Sequence, residues 1–417
     1  MPHPPIDTGN TGFMLLCSSL VMLMTPGLAF FYGGLVGRKN VLAIMIQSFV
    51  SMGWTTVLWW AFGFSLCFSG DLKSGTDFWG LLGNLDWAFL RGITLDTPAP
   101  ANPSIPLLVF CAYQMMFAII TPALITGAFA NRVTFKAYML FLTGWLLFVY
   151  FPFVHMVWGG GLLASWGVLD FAGGIVVHNI AGIAALAAVL FVGRRNVQDH
   201  GPHSIPLVAL GTGLLWFGWY GFNAGSELRV DSVTAVAFLN TDIAASFAAM
   251  AWLCMDWRMA KKPKFVGLLT GAVAGLATIT PAAGYVSPAS AALIGIVAGI
   301  VCFGAVALKN RLGWDDALDV WGVHGVGGFL GIVLLGAFAT TSFNPNGVNG
   351  LFAGNPRFFL VQLGAVLLSS VWAFVFTLAM LWLINRITPV RVAAATEELG
   401  LDEGLHGERA YLEEGAA

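Results

Sequence analysis

Apolar residues run in long unbroken stretches, and polar ones are confined to the connections between them. Eleven such stretches can be marked, over residues 12–36, 41–68, 104–130, 136–154, 172–193, 205–225, 231–256, 265–283, 287–308, 319–340 and 358–386. Their lengths suit helices crossing a hydrocarbon core about 30 Å thick, which takes about 20 residues. In lipid the backbone must satisfy its own hydrogen bonds, and a helix does so within one segment. No series of short alternating segments suggests a transmembrane β-barrel. The pattern predicts an all-α polytopic membrane protein with eleven transmembrane helices.

Composition narrows this further. Of 417 residues, 58% are hydrophobic and only 10% are charged, where a soluble domain carries about 25% charged residues. A mean hydropathy of +0.81 excludes an ordinary soluble enzyme, a nucleic-acid binder and a disordered chain. The formal net charge of −2 gives no bulk attraction to nucleic acid. The five cysteines, Cys17, Cys67, Cys111, Cys254 and Cys302, are scattered through apolar stretches. Their spacing suggests neither a disulfide framework nor a zinc site, so they read as packing residues. The opening MPHPPIDTGNTG lacks a basic region, so a cleaved signal peptide is not expected.

Lysine and arginine set the expected orientation. Alternate connections and the tail hold 15 of them, among them Arg38, Arg132, Arg195 and Lys309, against Lys73, Arg91, Arg229 and Arg357 on the other side. That places the N-terminus outside and the C-terminus inside, which requires an odd number of spans. Eleven divides into two five-helix repeats, inverted in the membrane, plus a C-terminal helix. Such repeats put a substrate path near the midplane. Faint internal similarity supports the division: Asp170 precedes His178 in DFAGGIVVH, and Asp319 precedes His324 in DVWGVH. FFYGG at 30–34 and WYGFNAG at 219–225 also resemble each other.

Candidate chemistry sits at polar groups inside apolar runs. His178 and His324 must find partners or line a cavity, and facing imidazoles can share one proton. His155 lies near a span end and reads as interfacial; His3, His200, His203 and His406 fall in polar ends or connections. Asp170 suits a helix N-cap, with a charge that also favours a nearby cation. Asp315, Asp316 and Asp319 read as caps or pairing partners, while Asp242 in FLNTDIAAS has no ready explanation. Trp158, Trp219, Phe222 and Ser226 adjoin glycine-rich segments, and Phe117 lies in the third span. Aromatic faces attract a small cation by about 0.5–1 kcal/mol when exposed and about 2 when desolvated. Ordinary core and interfacial aromatics remain the simpler reading of spacing alone. No H-E-x-x-H, P-loop or G-x-S-x-G motif is present.

At these residues the chain closely resembles the ammonium transporter family, the Amt branch of the Amt/Mep/Rh proteins. The carrying segments are DTGNTGFMLLCSSLVMLMTPGLAFFYGGLVGRKNVL at 7–42, HMVWGGGLLASWGVLDFAGGIVVH at 155–178, GWYGFNAGS at 218–226, TPAAGYVSPASA from 280, DVWGVHGVGG at 319–328 and GLDEGLHGERAY at 400–411. The resemblance implies a homotrimer with one pore per subunit. It implies an outer ammonium site at Trp158, Ser226 and Phe117, with Tyr113 where many relatives carry Phe. It implies a gate of Phe117 and Phe222 with Trp219 beside it, a twin-histidine pore of His178 and His324, and Asp170 as a supporting acid outside the open pore. GAFANRVTF at 127–135 departs from the family in placing Asn131 where a glutamate is usual.

The expected function is therefore ammonium transport in the cell membrane, with methylammonium as an analogue substrate, no cofactor, no metal and no enzymatic activity. Residues 1–386 would form the transmembrane domain and 387–417 an acidic cytoplasmic tail. The resemblance implies that the tail contacts a neighbouring subunit and that a P-II-type nitrogen regulator binds at that face. Three other readings compete: an Rh-type channel for neutral gas, a sensor on the same fold, and a membrane metalloenzyme. The absence of an output segment after GERAY argues against the second. The absence of a clear third ligand beside His178 and His324 argues against the third.

Overall fold

The computed structural model describes residues 6–197 and 201–411. His3 and His200 lie outside these residues. Among the described residues ten helices are long and apolar enough to cross a membrane: α1 Thr8–Leu35, α2 Val41–Phe68, α3 Leu107–Ile125, α4 Phe135–Ser165, α5 Gly174–Val192, α6 Ile205–Glu227, α7 Ser232–Ala260, α9 Pro288–Leu312, α10 Trp321–Phe338 and α11 Pro356–Ile387. The stretch at 265–283 forms the shorter, largely buried α8, Phe265–Ile279. Pro281 has no amide hydrogen to continue the ladder, and the chain turns there before Ser287 opens α9. A short helix, α12 Ala394–Leu399, lies in the tail. The described residues contain no β-sheet, only isolated bridges.

Side chains of the connections start the long helices. Asp7 accepts from the Asn10 amide at 2.7 Å and begins α1. Asp231 and Thr234 form a reciprocal capping box at α7. Ser287 and Asn355 cap α9 and α11, each followed by proline at the first helical position. There the missing amide costs nothing.

The centre depends on the crossing of α5 and α10. Each opens with a π-helical turn, Gly174–Asn179 and Trp321–Gly325. Such wide turns re-aim side chains and recur at functional sites. A Cβ on Gly182 would lie 1.9 Å from the Gly325 amide nitrogen, and one on Gly328 would lie 2.5 Å from that of Asn179. The backbones touch only because neither position carries a side chain. Helix α11 braces the same place: the Asn179 carboxamide donates to Ser370 Oγ at 3.1 Å and accepts from Ser369 Oγ at 2.7 Å.

The tail is docked, not loose. Glu397 is buried and accepts from the backbone of Asn196 and Val197, and Arg391 binds Glu397 at 3.1 Å. Asp402 accepts from the Ala43 amide at 2.8 Å near the start of α2. His203 bridges the Val36 carbonyl and the Tyr411 hydroxyl. Beneath lies Arg132, fully buried, donating to the carbonyls of Gly193 and Asp315. Its neighbour Asn131 holds a left-handed turn at φ 67°, a conformation asparagine tolerates better than most residues. Arg195 grips Asp315 through two nitrogens. Burial alone would raise the Asp315 carboxyl, but the Arg195 hydrogen bonds and the Arg132 charge outweigh it and hold the group below its ordinary value.

Gly182→Ala is expected to cost at least about 1–3 kcal/mol through overpacking, read as a lower midpoint of thermal unfolding in detergent. An unchanged midpoint would contradict the close approach. The lowered Asp315 carboxyl contributes stability above its unfolded pKa, and that stability is lost as pH falls through the folded value. Hydrogen exchange at residues 194–197, corrected for its intrinsic pH dependence, should therefore show falling protection on acidification through the carboxylate range.

Candidate functional site

The wide first turns of α5 and α10 bring His178 and His324 together. Both rings are buried, with centroids 5.2 Å apart, interplanar angle 21°, and Nδ1 atoms separated by 3.2 Å. A neutral imidazole has one N–H and one bare nitrogen, so one Nδ1 donates and the other accepts. His178 Nε2 is buried with no hydrogen-bond partner among the described residues.

Aromatic rings continue the line from His178. Trp219 stacks on it at 5.4 Å and Phe222 lies at 6.1 Å, both tilted by 23°. Trp219 is fixed by its indole N–H, which donates to Thr280 Oγ1 at 2.9 Å. Phe222 meets Phe117 at 4.3 Å, and Phe117 meets Trp158 edge-on at 5.9 Å. Phe117, Trp219 and Phe222 are almost wholly buried, whereas Trp158 is half-buried. The order is thus Trp158, Phe117, Phe222, Trp219, His178, His324.

A narrow cavity of about 10 Å³ runs between Phe222 and His324, walled by residues such as Leu28, Ile120, Val177 and Leu215 and by no charged side chain. That volume suits about one water-sized molecule. A second cavity of about 240 Å³ shares Phe31, Val273 and His324 with it and widens past Asp319 and Arg195.

Two acids hold this geometry. Asp170 accepts from the amides of Gly173, Gly174, Ile175 and Val176 at 2.6–3.2 Å, so both oxygens serve the start of α5. Gly173, at φ 119°, lets the chain curl around that carboxylate. The Asp170 carbonyl also takes the Trp158 indole N–H at 2.8 Å, tying one end of the ring line to the helix that carries His178. On α10 the matching cap is Asp316, which accepts from Val320 and Trp321 at 3.1 and 2.8 Å. This corrects the expected pairing of Asp170 with Asp319. Asp316 stands eight residues before His324, as Asp170 stands before His178; Asp319 instead pairs with Lys309 at 2.6 Å.

The remaining candidates cluster at the Trp158 end. Ser226 Oγ donates to the Phe222 carbonyl at 2.9 Å. Tyr113 is fully buried; its hydroxyl lies 2.9 Å from the Gly221 and Phe222 carbonyls and 3.2 Å from Ser226 Oγ. Its hydroxyl thus meets the last turns of α6. His155 is not interfacial: it is fully buried, with Nε2 at 3.0 Å from Asp77 and Nδ1 at 3.0 Å from the Cys67 carbonyl. It lies one turn before Trp158 and fastens that helix to the long 69–106 connection. Asn179, Thr280 and the His155–Asp77 pair were missed in the sequence. Asn179 was within reach, since it too is polar inside an apolar run. Among the described residues no three His, Cys, Asp or Glu side chains converge as a metal site would need.

These features define a multi-pass helical membrane protein with a small cavity, lined by no charged side chain, that reaches two buried histidines. The chain belongs to the Ammonium Transporter Family, whose model matches residues 12–411. It is 44% identical to an ammonium transporter of Bacillus subtilis over 408 residues, covering 97% of this chain and 99% of the relative. Its structure resembles that of Saccharomyces cerevisiae Mep2, with a TM-score of 0.86, 34% identity and coverage of 93% and 91% of the two chains. A sensor Amt protein also matches, with a TM-score of 0.86, 30% identity and coverage of 94% and 97%. The family comprises transporters rather than enzymes, and the protein is a multi-pass protein of the cell membrane.

Each buried donor stripped of its acceptor costs about 1–3 kcal/mol. Asp170→Ala strips four amides and Asp316→Ala two. Asp170→Ala should therefore lower the thermal midpoint further than Asp316→Ala; the reverse order would contradict the capping account.

Proposed function

We propose that the protein takes up ammonium by recruiting it on the outer face, removing its proton and passing neutral ammonia to the cytoplasm. Trp158, Phe117 and Ser226 form the recruitment site, with Tyr113 steadying Ser226. Phe117 and Phe222 are the gate, Trp219 lines it, and His178 and His324 are the pore rail. Asp170 supports recruitment through its negative charge and its hold on Trp158, without entering the pore.

The observation that carries this reading is a cavity of about 10 Å³, lined by His178 and His324 and by no charged side chain, beside a buried His178 Nε2 that has no hydrogen-bond partner among the described residues. An ion moved from water into a low-dielectric interior faces a Born cost of order 20 kcal/mol, and nothing charged in that wall offsets it. Potassium cannot shed its charge, whereas ammonium can by giving up a proton. Ammonia then finds a nitrogen with free hydrogen-bonding capacity on the far side of the gate. The proton moves separately along the Nδ1–Nδ1 contact, and the transport is electrogenic.

In the same reading the N-terminus is outside and the C-terminus inside, as the lysine and arginine distribution requires. Helix α8 and the turn after it make the eleventh span, and the capped π turns of α5 and α10 are counterparts in two inverted repeats. Residues 1–386 form the transmembrane domain and 387–417 a cytoplasmic tail. The protein works as a homotrimer, and a P-II-type regulator binds at the tail face.

His178→Ala in proteoliposomes should abolish the ammonium-evoked current or admit potassium current that the parent protein excludes. An unchanged ammonium current with potassium still excluded would refute the role of the pair. Ammonia flux without current in the parent protein would favour the Rh-type neutral channel.

A further inference from the structure

His155 lies outside the cavity, but both nitrogens of its ring are engaged. Nδ1 meets the Cys67 carbonyl at 3.0 Å and Nε2 meets Asp77 Oδ2 at 3.0 Å. The ring is fully buried, and the Asp77 side chain is only 2% exposed. A carbonyl oxygen can only accept, so Nδ1 carries a hydrogen. Nε2 and the Asp77 carboxyl must then share a second one, because a bare nitrogen against an ionised carboxylate would set two acceptors in contact. The pair is neutral whichever partner holds that hydrogen, so it adds no net charge beside Trp158.

His155 stands three residues before Trp158, on the same face of the helix. The glycine turn that follows Trp158 folds back over the imidazole. The amides of Gly159 and Gly161 both donate to the His155 carbonyl at 3.0 Å. A Cβ on Gly159 would lie 2.6 Å from His155 Nδ1, and one on Gly161 would lie 2.9 Å from its Cδ2. The 69–106 connection grips the same turn. The Leu162 amide donates to the Gly80 carbonyl at 2.8 Å, and the Leu72 amide to the Gly160 carbonyl at 3.4 Å. Of these three ties between connection and turn, only the His155–Asp77 contact is made by side chains. Trp158 is thus held twice: its indole N–H on the Asp170 carbonyl at 2.8 Å, and its backbone in a turn clasped to the connection. A cation gains from an aromatic ring only over its face and within about 6 Å of its centre. Tilting the turn therefore changes what the ring can hold.

We propose that His155 and Asp77 are positioning residues for Trp158. By clasping the 69–106 connection to the glycine turn they set the pose of the indole, and so the affinity of cation recruitment, without touching the cation or the cavity. The inference rests on the recruiting role of Trp158 proposed above.

The test is ammonium-evoked current from the full chain in proteoliposomes, recorded over a range of ammonium concentrations. Asp77→Ala leaves the ring without its second partner. It should raise the half-saturating ammonium concentration at least about threefold, with the maximal current within about twofold of the parent's. Asp77→Asn offers a carboxamide N–H to a neutral ring and should restore the parent's half-saturation. Hydrogen exchange reads the clasp independently of transport: Asp77→Ala should lose protection at the Gly159, Gly161 and Leu162 amides and keep it at Gly173 to Val176, which Asp170 holds. If Asp77→Ala does not fold, Asp77→Ser, whose hydroxyl falls short of the ring, should show the same rise. An unchanged half-saturation, or an Asn variant as impaired as the Ala variant, overturns the assignment. So does a lower maximal current at unchanged half-saturation, which is the outcome of a purely structural role. A parent current that never saturates, with the exchange pattern as stated, overturns the recruitment reading and leaves the clasp standing.

Discussion

The contact between the backbones of α5 and α10 is the constraint on which the rest depends. With a side chain at Gly182 or Gly328 these helices would separate by the width of a methyl group or more. The two imidazoles would then lose hydrogen-bond distance, since 3.2 Å leaves little room before the bond fails. The wide first turn of each helix serves the same end by directing His178 and His324 toward each other. Asp170 and Asp316 hold those turns open by taking amides that would otherwise lack acceptors, and Asn179 locks α5 against α11. The site is thus built on rigid helices, with its precision set by backbone contact.

Polarity is distributed by the same logic. The passage wall carries no charge, so the charges that shape it lie one layer back and are neutralised there. Asp170 spends both oxygens on backbone amides while its carbonyl fixes Trp158. His155 is tied to Asp77, and Lys309 to Asp319. At the tail face Arg132, Arg195, Arg391, Asp315 and Glu397 form a network that fastens the connections of three different spans. What remains along the cavity is a set of aromatic faces and two imidazoles in hydrogen-bond contact.

Much of the architecture was legible from the run of apolar residues, because lipid forces one helix per stretch. The 265–283 stretch was the exception: hydropathy registers Pro281 as one more tolerable residue, whereas the hydrogen-bond ladder stops there. Hydropathy is also blind to rotation about a helix axis, so it identified His178 and His324 as costly but not as neighbours. The order of Trp158, Phe117, Phe222 and Trp219 became an expectation only through the family resemblance. Spacing left Asp315, Asp316 and Asp319 alike as caps or pairing partners; Asp316 takes the cap because it stands eight residues before His324, as Asp170 does before His178, while Asp319 pairs with Lys309. His155 and Asp77 are 78 residues apart, a separation that no local pattern reveals. Asp242 had no explanation in the sequence because its donors, Trp216 and Tyr220, belong to the preceding helix.

The central claim is that two neutral imidazoles share one hydrogen between their Nδ1 atoms inside a dry passage. Solid-state ¹⁵N spectroscopy of histidine-labelled protein in bilayers tests it directly. The account predicts a dipolar contact between the two Nδ1 nuclei, one with the chemical shift of a protonated nitrogen and the other with that of a bare one. Two doubly protonated rings, or no contact between the nuclei, would contradict it.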